Sequence, residues 1–356
     1  MQTKKRVVIV GAGPAGLGAA SELAKNDNYE VIVLEKNPEP SYKVCGGGIH
    51  PDFIKGYLSP EIMDREFASM ILKTPKTTFV MEYGKKIFVG TLNRKRLNEM
   101  LTDKAVAAGA KILFGKTVKE VEKDKIVTDD GEEFPFDYLV GADGATSIVR
   151  KNLGLPTKEF LVAYQYIIPG DYKDIEMHLD FEKFGITYSW IFPQKGVVSV
   201  GTGYSAAERK SPEEIKQLRE NFDAWCKERF SLEGARFEGF TINYDYRGFE
   251  FDTVYLCGDA GGFASGLTGE GIKPAILTGI DVARRIQNPN YDCQNIKECL
   301  GIKKREDGIL RLLIHPKWGK IVSPVASFLF NFAWFKKLLF KALEYGIKFP
   351  FFLKKK

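Results

Sequence analysis

Histidine is scarce in this chain of 356 residues: His50, His178 and His315 are the full set. They share no metal-ligand spacing with the cysteines, so no metal centre is expected, structural or catalytic. The five cysteines form an odd and scattered set, which argues against a disulfide framework. No leader segment is visible, because Met1-Gln-Thr-Lys-Lys runs straight into a strand. Long apolar runs are missing too. Ile321 to Phe335 is apolar for only fifteen residues and is broken by Pro324 and Asn331, too short for a spanning helix. Internal repeats and low-complexity segments are absent. The net charge of +6 permits an acidic partner without demanding one, and nothing points to nucleic acid. A hydrophobic content of 44% over this length allows a large core, spread over more than one domain.

Glycine is plentiful, and it is concentrated where strands turn into helices. Arg6 to Val10 reads as a strand, Gly11-Ala-Gly-Pro-Ala-Gly16 as a turn, and the residues through Lys25 as a helix. A second apolar strand, Val31 to Leu34, ends on Glu35. This is a dinucleotide fingerprint with its context intact. Gly11 allows the tight turn, Gly13 lets the backbone approach a pyrophosphate, and Gly16 lets helix and strand pack closely. Glu35 can accept hydrogen bonds from ribose hydroxyls. Alone, the motif leaves NAD(P) and FAD open.

Two later strand-to-helix turns favour FAD. Tyr138 to Val140 leads into Gly141-Ala-Asp143-Gly144, and Thr253 to Cys257 leads into Gly258-Asp259. Beyond the latter lies Gly266-Leu-Thr-Gly269-Glu-Gly271-Ile272 and a helix through Arg284. A carboxylate ending a buried strand can hold a ribityl hydroxyl, and the backbone beyond it can face a phosphate or the flavin ring. Taken singly, each is also what an ordinary turn looks like.

The three motifs in this order resemble the flavoproteins of the aromatic-hydroxylase and geranylgeranyl-reductase superfamily across most of residues 1–290. Lys43-Val-Cys45-Gly46-Gly47-Gly48-Ile49 and Tyr188-Ser-Trp190-Ile-Phe192-Pro193 resemble, more narrowly, the geranylgeranyl reductase family, which includes archaeal enzymes acting on membrane lipids. That resemblance implies an FAD-dependent oxidoreductase that saturates isoprenoid double bonds of membrane-lipid precursors. It implies cofactor contacts at Gly11, Gly13, Pro14, Ala15, Gly16, Glu35, Lys36, Cys45, Gly46, Gly47, Arg94, Val118, Asp143, Gly144, Asp259, Gly269, Gly271 and Ile272. It places Gly48, Tyr188, Trp190, Phe192 and Pro193 on the substrate, and Cys45 and Tyr188 in the chemistry. Arg94, in Asn93-Arg-Lys-Arg-Leu-Asn98, reads equally as a phosphate contact or a solvated helix charge.

The residues allow this chemistry on their own terms. Alternation in Tyr-x-Trp-x-Phe puts three aromatics on one strand face, which suits an alkyl tunnel or a plain core. Three glycines after Cys45 leave room for a flat ring or a substrate atom. Cys45 itself reads as a reactive-site thiol or as an inert buried one. A prenyl double bond has no neighbouring carbonyl, so hydride addition needs a proton with it or before it. A neutral thiol at Cys45, or the Tyr188 phenol, can serve. Two other functions fit the FAD motifs: a flavin monooxygenase of the aromatic-hydroxylase type, and a non-catalytic prenyl-lipid carrier that retains flavin.

The fold class expected is α/β: a Rossmann-like FAD-binding domain with a parallel sheet, interleaved with an antiparallel-sheet substrate domain. Residues 1–62, 92–155 and 250–290 are assigned to the first, 63–91 and 156–249 to the second, and 291–356 to a C-terminal helical segment. Phe79 to Tyr83 and Lys86 to Val89 suggest a hairpin turning at Gly84. Ser211-Pro-Glu-Glu214 begins a helix expected to reach about Arg229. Gly201-Thr-Gly-Tyr-Ser-Ala206 mimics a second nucleotide turn but opens no helix, so a strand end and loop is expected. Phe328, Phe332, Phe335, Leu339 and Ala342 share one helical face, with Lys337 and Lys341 opposite. That tail reads either as an interfacial helix on an anionic bilayer or as a helix docked on the body. The implied partners are a prenylated lipid and an electron donor, NAD(P)H or a ferredoxin-like protein. The implied location is the cytoplasm, with peripheral contact on the inner face of the cell membrane if the tail is interfacial.

Overall fold

The computed structural model describes residues 3–50, 57–82 and 89–315. The Gly84 turn and the tail beyond His315 lie outside them, so the interfacial-helix expectation falls on residues not described.

A six-stranded sheet is built around Lys5–Val10, which pairs in parallel with Tyr29–Glu35 on one side and Tyr138–Gly141 on the other. Lys111–Phe114 extends the first side, and Val254–Leu256 the second. Only the edge strand Glu250–Phe251 is antiparallel. The central strand is apolar throughout its buried length because both its faces are covered. Val7 and Ile9 join a core cluster with Leu17, Leu23, Leu97, Ile276 and Val282 of three covering helices, Pro14–Leu23, Arg94–Ala107 and Ile272–Gln287. Val8 and Val10 face the opposite cluster with Ile32, Ile126 and Val149. Since the four inner strands run the same way, Gly11, Glu35, Gly141 and Gly258 all emerge at one edge of the sheet. That is where open α/β sheets place their ligands.

The second sheet has seven strands, in the order Arg236–Asn243, Phe160–Pro169, Val197–Ser205, Ser189–Pro193, Glu176–His178, Ser69–Lys73 and Thr78–Glu82. All neighbours are antiparallel except Glu176–His178 beside Ser69–Lys73. One face is covered by the helix Pro212–Arg229 through Phe222, Trp225 and Cys226. Its start is the expected one: Ser211 Oγ accepts from the Glu214 N–H and the Glu214 carboxylate accepts from the Ser211 N–H. The 201–206 segment is likewise a strand end, followed by a single 3-10 turn, Ala206–Glu208.

The hairpin expected around Gly84 falls mostly on residues outside the described ones; the described strands on either side of it have other partners as well. Thr78–Glu82 pairs with Ser69–Lys73, closed by a turn in which the Thr74 N–H donates to the Thr77 carbonyl across Pro75-Lys76. Val89–Leu92 instead enters a three-stranded sheet with Met63–Phe67 and Gly48–Ile49. Alternation identifies a strand but not its partner, and the Pro75 turn gives Thr78–Glu82 one close in sequence.

Candidate active site

At the edge of the first sheet, Gly11 adopts φ +100°, and a Cβ there would lie 2.5 Å from the Ala142 carbonyl oxygen. The first and second glycine motifs therefore touch through a position that only glycine fits. A Cβ on Gly16 would come 2.0 Å from the Gly11 carbonyl oxygen, which is the close helix–strand packing expected of it. A Cβ on Gly13 meets nothing within 4 Å, and the helix that follows has no side-chain cap at its N-terminus. The space before Pro14 and Ala15 is open. Glu35 is aimed into the same corner: its carboxylate accepts from the Ala12 N–H at 2.8 Å and the Asn37 N–H at 3.0 Å. Lys36 beside it is exposed, and Val118 packs on the cluster containing Leu34.

Two buried polar atoms near this corner have no partner. Arg94 is only 4% exposed, and its Nε is unbonded among the described residues. The solvated-charge alternative is thereby removed. Asp143 spends Oδ2 on the Ile148 and Val149 N–H groups, capping the short helix Ile148–Asn152, while Oδ1 is buried and unpartnered. Burial pushes the Asp143 carboxyl up, against hydrogen bonds from Ser147 and the backbone. A Cβ on the neighbouring Gly144 would meet nothing within 4 Å. Buried cationic and acidic groups are costly without partners. An open glycine turn, an orphaned guanidinium nitrogen and an orphaned carboxylate oxygen fit a dinucleotide's phosphates and polyol. Arg94→Met should then leave the apoprotein as stable or more so, since an unpaired buried charge is gone, and weaken FAD binding by about 2–5 kcal/mol. Apoprotein melting and a flavin-fluorescence titration check both halves; an unchanged affinity would remove Arg94 from the cofactor site.

The third motif closes on the first two. Asp259 is paired with Lys43 at 3.0 Å, and a Cβ on Gly271 would sit 3.4 Å from Asp259 Oδ1. Gly271 in turn caps the helix opened by Ile272, just after Gly269 at φ +70°. Lys43 is a site residue that sequence reasoning quoted without a role. Its partner lies 216 positions away, and no local signal marks it.

The Cys45–Gly48 segment docks on the seven-stranded sheet. Gln165, 1% exposed, donates to the Cys45 carbonyl at 3.4 Å, and Gln194 donates to the Gly46 carbonyl at 3.1 Å. Cys45 Sγ accepts from the Gly47 N–H at 3.3 Å. A Cβ on Gly46 would meet Trp190 Nε1 at 3.1 Å, and one on Gly48 would meet the Phe192 ring at 2.8 Å. The glycines expected to leave room for a ligand thus also make room, on one side, for the protein's own rings.

Those rings form a row, with centroids 6.0 Å apart from Tyr188 to Trp190 and 6.3 Å from Trp190 to Phe192. Behind them lie Phe67, Met70, Leu72, Phe79 and Met81, while Ile191 turns to the opposite face. Pro193 ends the row, its carbonyl held by the Thr91 hydroxyl. The Tyr188 hydroxyl donates to the Thr268 carbonyl at 2.7 Å, tying the row to the Gly266–Ile272 turn. Burial pushes the Tyr188 phenol up, with nearby Cys45 and Glu270 adding to it, so it stays protonated at neutral pH. Among the described residues, no His, Cys, Asp and Glu cluster could hold a metal ion.

A mostly parallel sheet whose strand ends gather a glycine turn, Glu35, Asp143 and Asp259 defines a flavoprotein, an FAD-dependent oxidoreductase. Residues 4–287 match the family described as FAD binding domain. The chain belongs to that FAD-binding family, and several of the proteins it is similar to are geranylgeranyl reductases. It is 28% identical over 355 residues to the digeranylgeranylglycerophospholipid reductase of Methanocaldococcus jannaschii, covering 90% of this chain and 87% of that one. It is 30% identical to the chloroplastic geranylgeranyl diphosphate reductase of Oryza sativa over 77% of this chain, and spans 64% of that protein's length. Its fold matches the crystal structure of a geranylgeranyl bacteriochlorophyll reductase-like protein of Thermoplasma acidophilum with a TM-score of 0.70, 21% identity, and coverage of 85% and 84% of the two chains.

Proposed function

We propose that this protein saturates isoprenoid double bonds on a membrane-lipid precursor. The observation that carries this reading is the docking of the Cys45–Gly48 segment on the Tyr188–Pro193 aromatic row, beside an FAD-shaped corner. Reduced FAD, when bound, supplies the hydride. Arg94, Glu35, Asp143 and Asp259 would hold the cofactor by its phosphates, ribose and polyol. Tyr188, Trp190 and Phe192 present an apolar wall that excludes water and lays an alkyl chain along the row. An isolated alkene cannot stabilise a carbanion, so a proton must be on hand. Cys45 and Tyr188 are the side chains we assign to deliver it. Electrons reach the flavin from NAD(P)H or from a ferredoxin-like carrier; anaerobic mixing with each donor in turn separates the two.

Mass spectrometry of copurified or added geranylgeranylated lipid, before and after chemical reduction of the flavin, tests the reading. Two hydrogens should be gained per bond. Oxygen consumed in step with substrate would support a monooxygenase instead, and a lipid bound but never altered would support a carrier.

Membrane contact is proposed from the sequence of the tail, since no helix among the described residues is long and apolar enough to cross a bilayer. Removing residues 328–356 should weaken binding to anionic vesicles, and salt should weaken binding of the full chain. Equal binding with and without the tail would end that part of the proposal.

A further inference from the structure

Trp190 lies in a gap. The register of the seven-stranded sheet sets Glu238, Gln165, Gly201 and Trp190 side by side on adjacent strands. A Cβ on Gly201 would stand 2.1 Å from Trp190 Cζ2. The indole therefore lies over the place where a side chain is missing, and leans toward Gln165. That is the use of a glycine in the Gly201–Ala206 segment, which mimics a nucleotide turn in sequence. Gly46 of the Cys45–Gly48 segment makes the same allowance at the indole nitrogen.

From Trp190 a line of hydrogen bonds runs to the edge strand Arg236–Asn243. The indole Nε1–H donates to Ser199 Oγ at 2.8 Å, the Ser199 hydroxyl donates to Gln165 Oε1 at 2.8 Å, and Gln165 Nε2 donates to Glu238 Oε2 at 2.9 Å. An indole only donates and a carboxylate only accepts, so both ends impose one direction on the hydroxyl and the amide between them. The same Gln165 nitrogen donates to the Cys45 carbonyl at 3.4 Å and lies 3.3 Å from the Tyr42 hydroxyl. Tyr42 in turn donates to Glu238 at 2.8 Å, and Arg236 pairs with Glu238 at 2.6 Å. Ser199 and Gln165 are buried, and the Glu238 side chain is 8% exposed. Buried polar groups bonded in this way are costly to separate and hold their neighbours in one arrangement.

We propose that Gln165, acting with Ser199, is a positioning residue for alkene reduction: it locks the Trp190 ring and the Cys45 loop into one fixed relation. The proposal rests on the reductase reading. Through Oε1 and Ser199 the amide sets the tilt of the middle ring of the aromatic row. Through Nε2 it holds the backbone of the residue that carries the thiol. Tyr188 is tied to a different wall, the Thr268 carbonyl. Without Gln165, the ring that lays out the alkyl chain and the loop beside it would lose their common anchor. A misplacement of about 1 Å caused by a change away from the chemistry can cost about 10²-fold in rate.

Indole 15N–H spectra of the FAD-loaded protein read this line directly. The chain has four tryptophans, and Trp190→Phe identifies the Trp190 signal by its loss. Ser199→Ala and Gln165→Met should each shift that signal and speed its exchange with solvent deuterium by about tenfold or more. Both variants should retain FAD and accept electrons at the wild-type rate. Anaerobic reoxidation of their reduced flavin by a geranylgeranylated lipid should slow by about 10- to 100-fold. Gln165→Met should be the slower of the two, because it also frees the Cys45 carbonyl. Ser199→Ala added to Trp190→Phe should change the rate less than about twofold, since the indole donor is already gone. A Trp190 signal that neither variant moves, or reoxidation at the wild-type rate in Gln165→Met, overturns the assignment. If Gln165→Met does not hold FAD, Ser199→Ala decides, since it removes a single hydroxyl. A wild-type protein that reduces no prenyl lipid sinks the reductase reading alone, because the indole signal needs no turnover.

Discussion

Gly13→Val should yield a folded, colourless protein. Gly13 has φ −83° and ψ 178°, an extended conformation that any residue adopts, and a Cβ there meets nothing within 4 Å. The protein itself therefore tolerates the added side chain. The valine methyls would instead fill the approach to the uncapped helix Pro14–Leu23, where a pyrophosphate must come within hydrogen-bonding reach of the backbone. Flavin occupancy after purification should fall below a tenth of wild type, which requires a loss of more than about 1.4 kcal/mol. Gly16→Val is the contrasting control. Its Cβ would lie 2.0 Å from the Gly11 carbonyl oxygen, so that variant should fail to fold at all. A yellow, stoichiometrically loaded Gly13→Val protein would remove the cofactor assignment at this turn.

Cys45→Ala should separate the two halves of the reaction. The variant should fold, bind FAD and accept electrons, since none of these needs a proton on the alkene. The loss should fall on anaerobic reoxidation of reduced flavin by a geranylgeranylated lipid, by the ~10²–10⁴-fold that general acid assistance is typically worth. Cys45→Ser should recover little, a hydroxyl being a far weaker acid than a thiol. The packing cost is small and foreseeable. Among the described residues the thiol accepts the Gly47 N–H, and the loop is held independently by Gln165 and Gln194 through backbone carbonyls. A structural role would therefore spare the rate. Anaerobic stopped-flow of wild type and variant is the measurement; equal rates would move the acid to Tyr188.

The nucleotide corner was legible because its constraints are local. A tight turn needs Gly11, a close helix needs Gly16, and strand ends need Glu35, Asp143 and Asp259, each within a few residues of the others in its motif. The alternation of Tyr188, Trp190 and Phe192 likewise announced one face, and the row is there. What escaped was partnership over long separations. Nothing around Lys43 says Asp259, and Gln165 looks like any polar residue on an alternating strand. Gly201 was legible as a strand residue, but that its missing side chain makes room for Trp190 on the next strand is written in neither segment alone.

The orphaned atoms of Arg94 and Asp143 bear on how stable the folded chain is before it is loaded. In the corner, a buried guanidinium nitrogen and a buried carboxylate oxygen have no partner among the described residues. Whatever binds only the folded chain raises its stability by mass action, about 4.1 kcal/mol at a thousandfold excess over the dissociation constant. The unloaded chain is thus the form exposed to proteolysis. Flavin occupancy should therefore raise the melting temperature and the resistance to added protease of the purified protein, which thermal melting and limited proteolysis with and without FAD check.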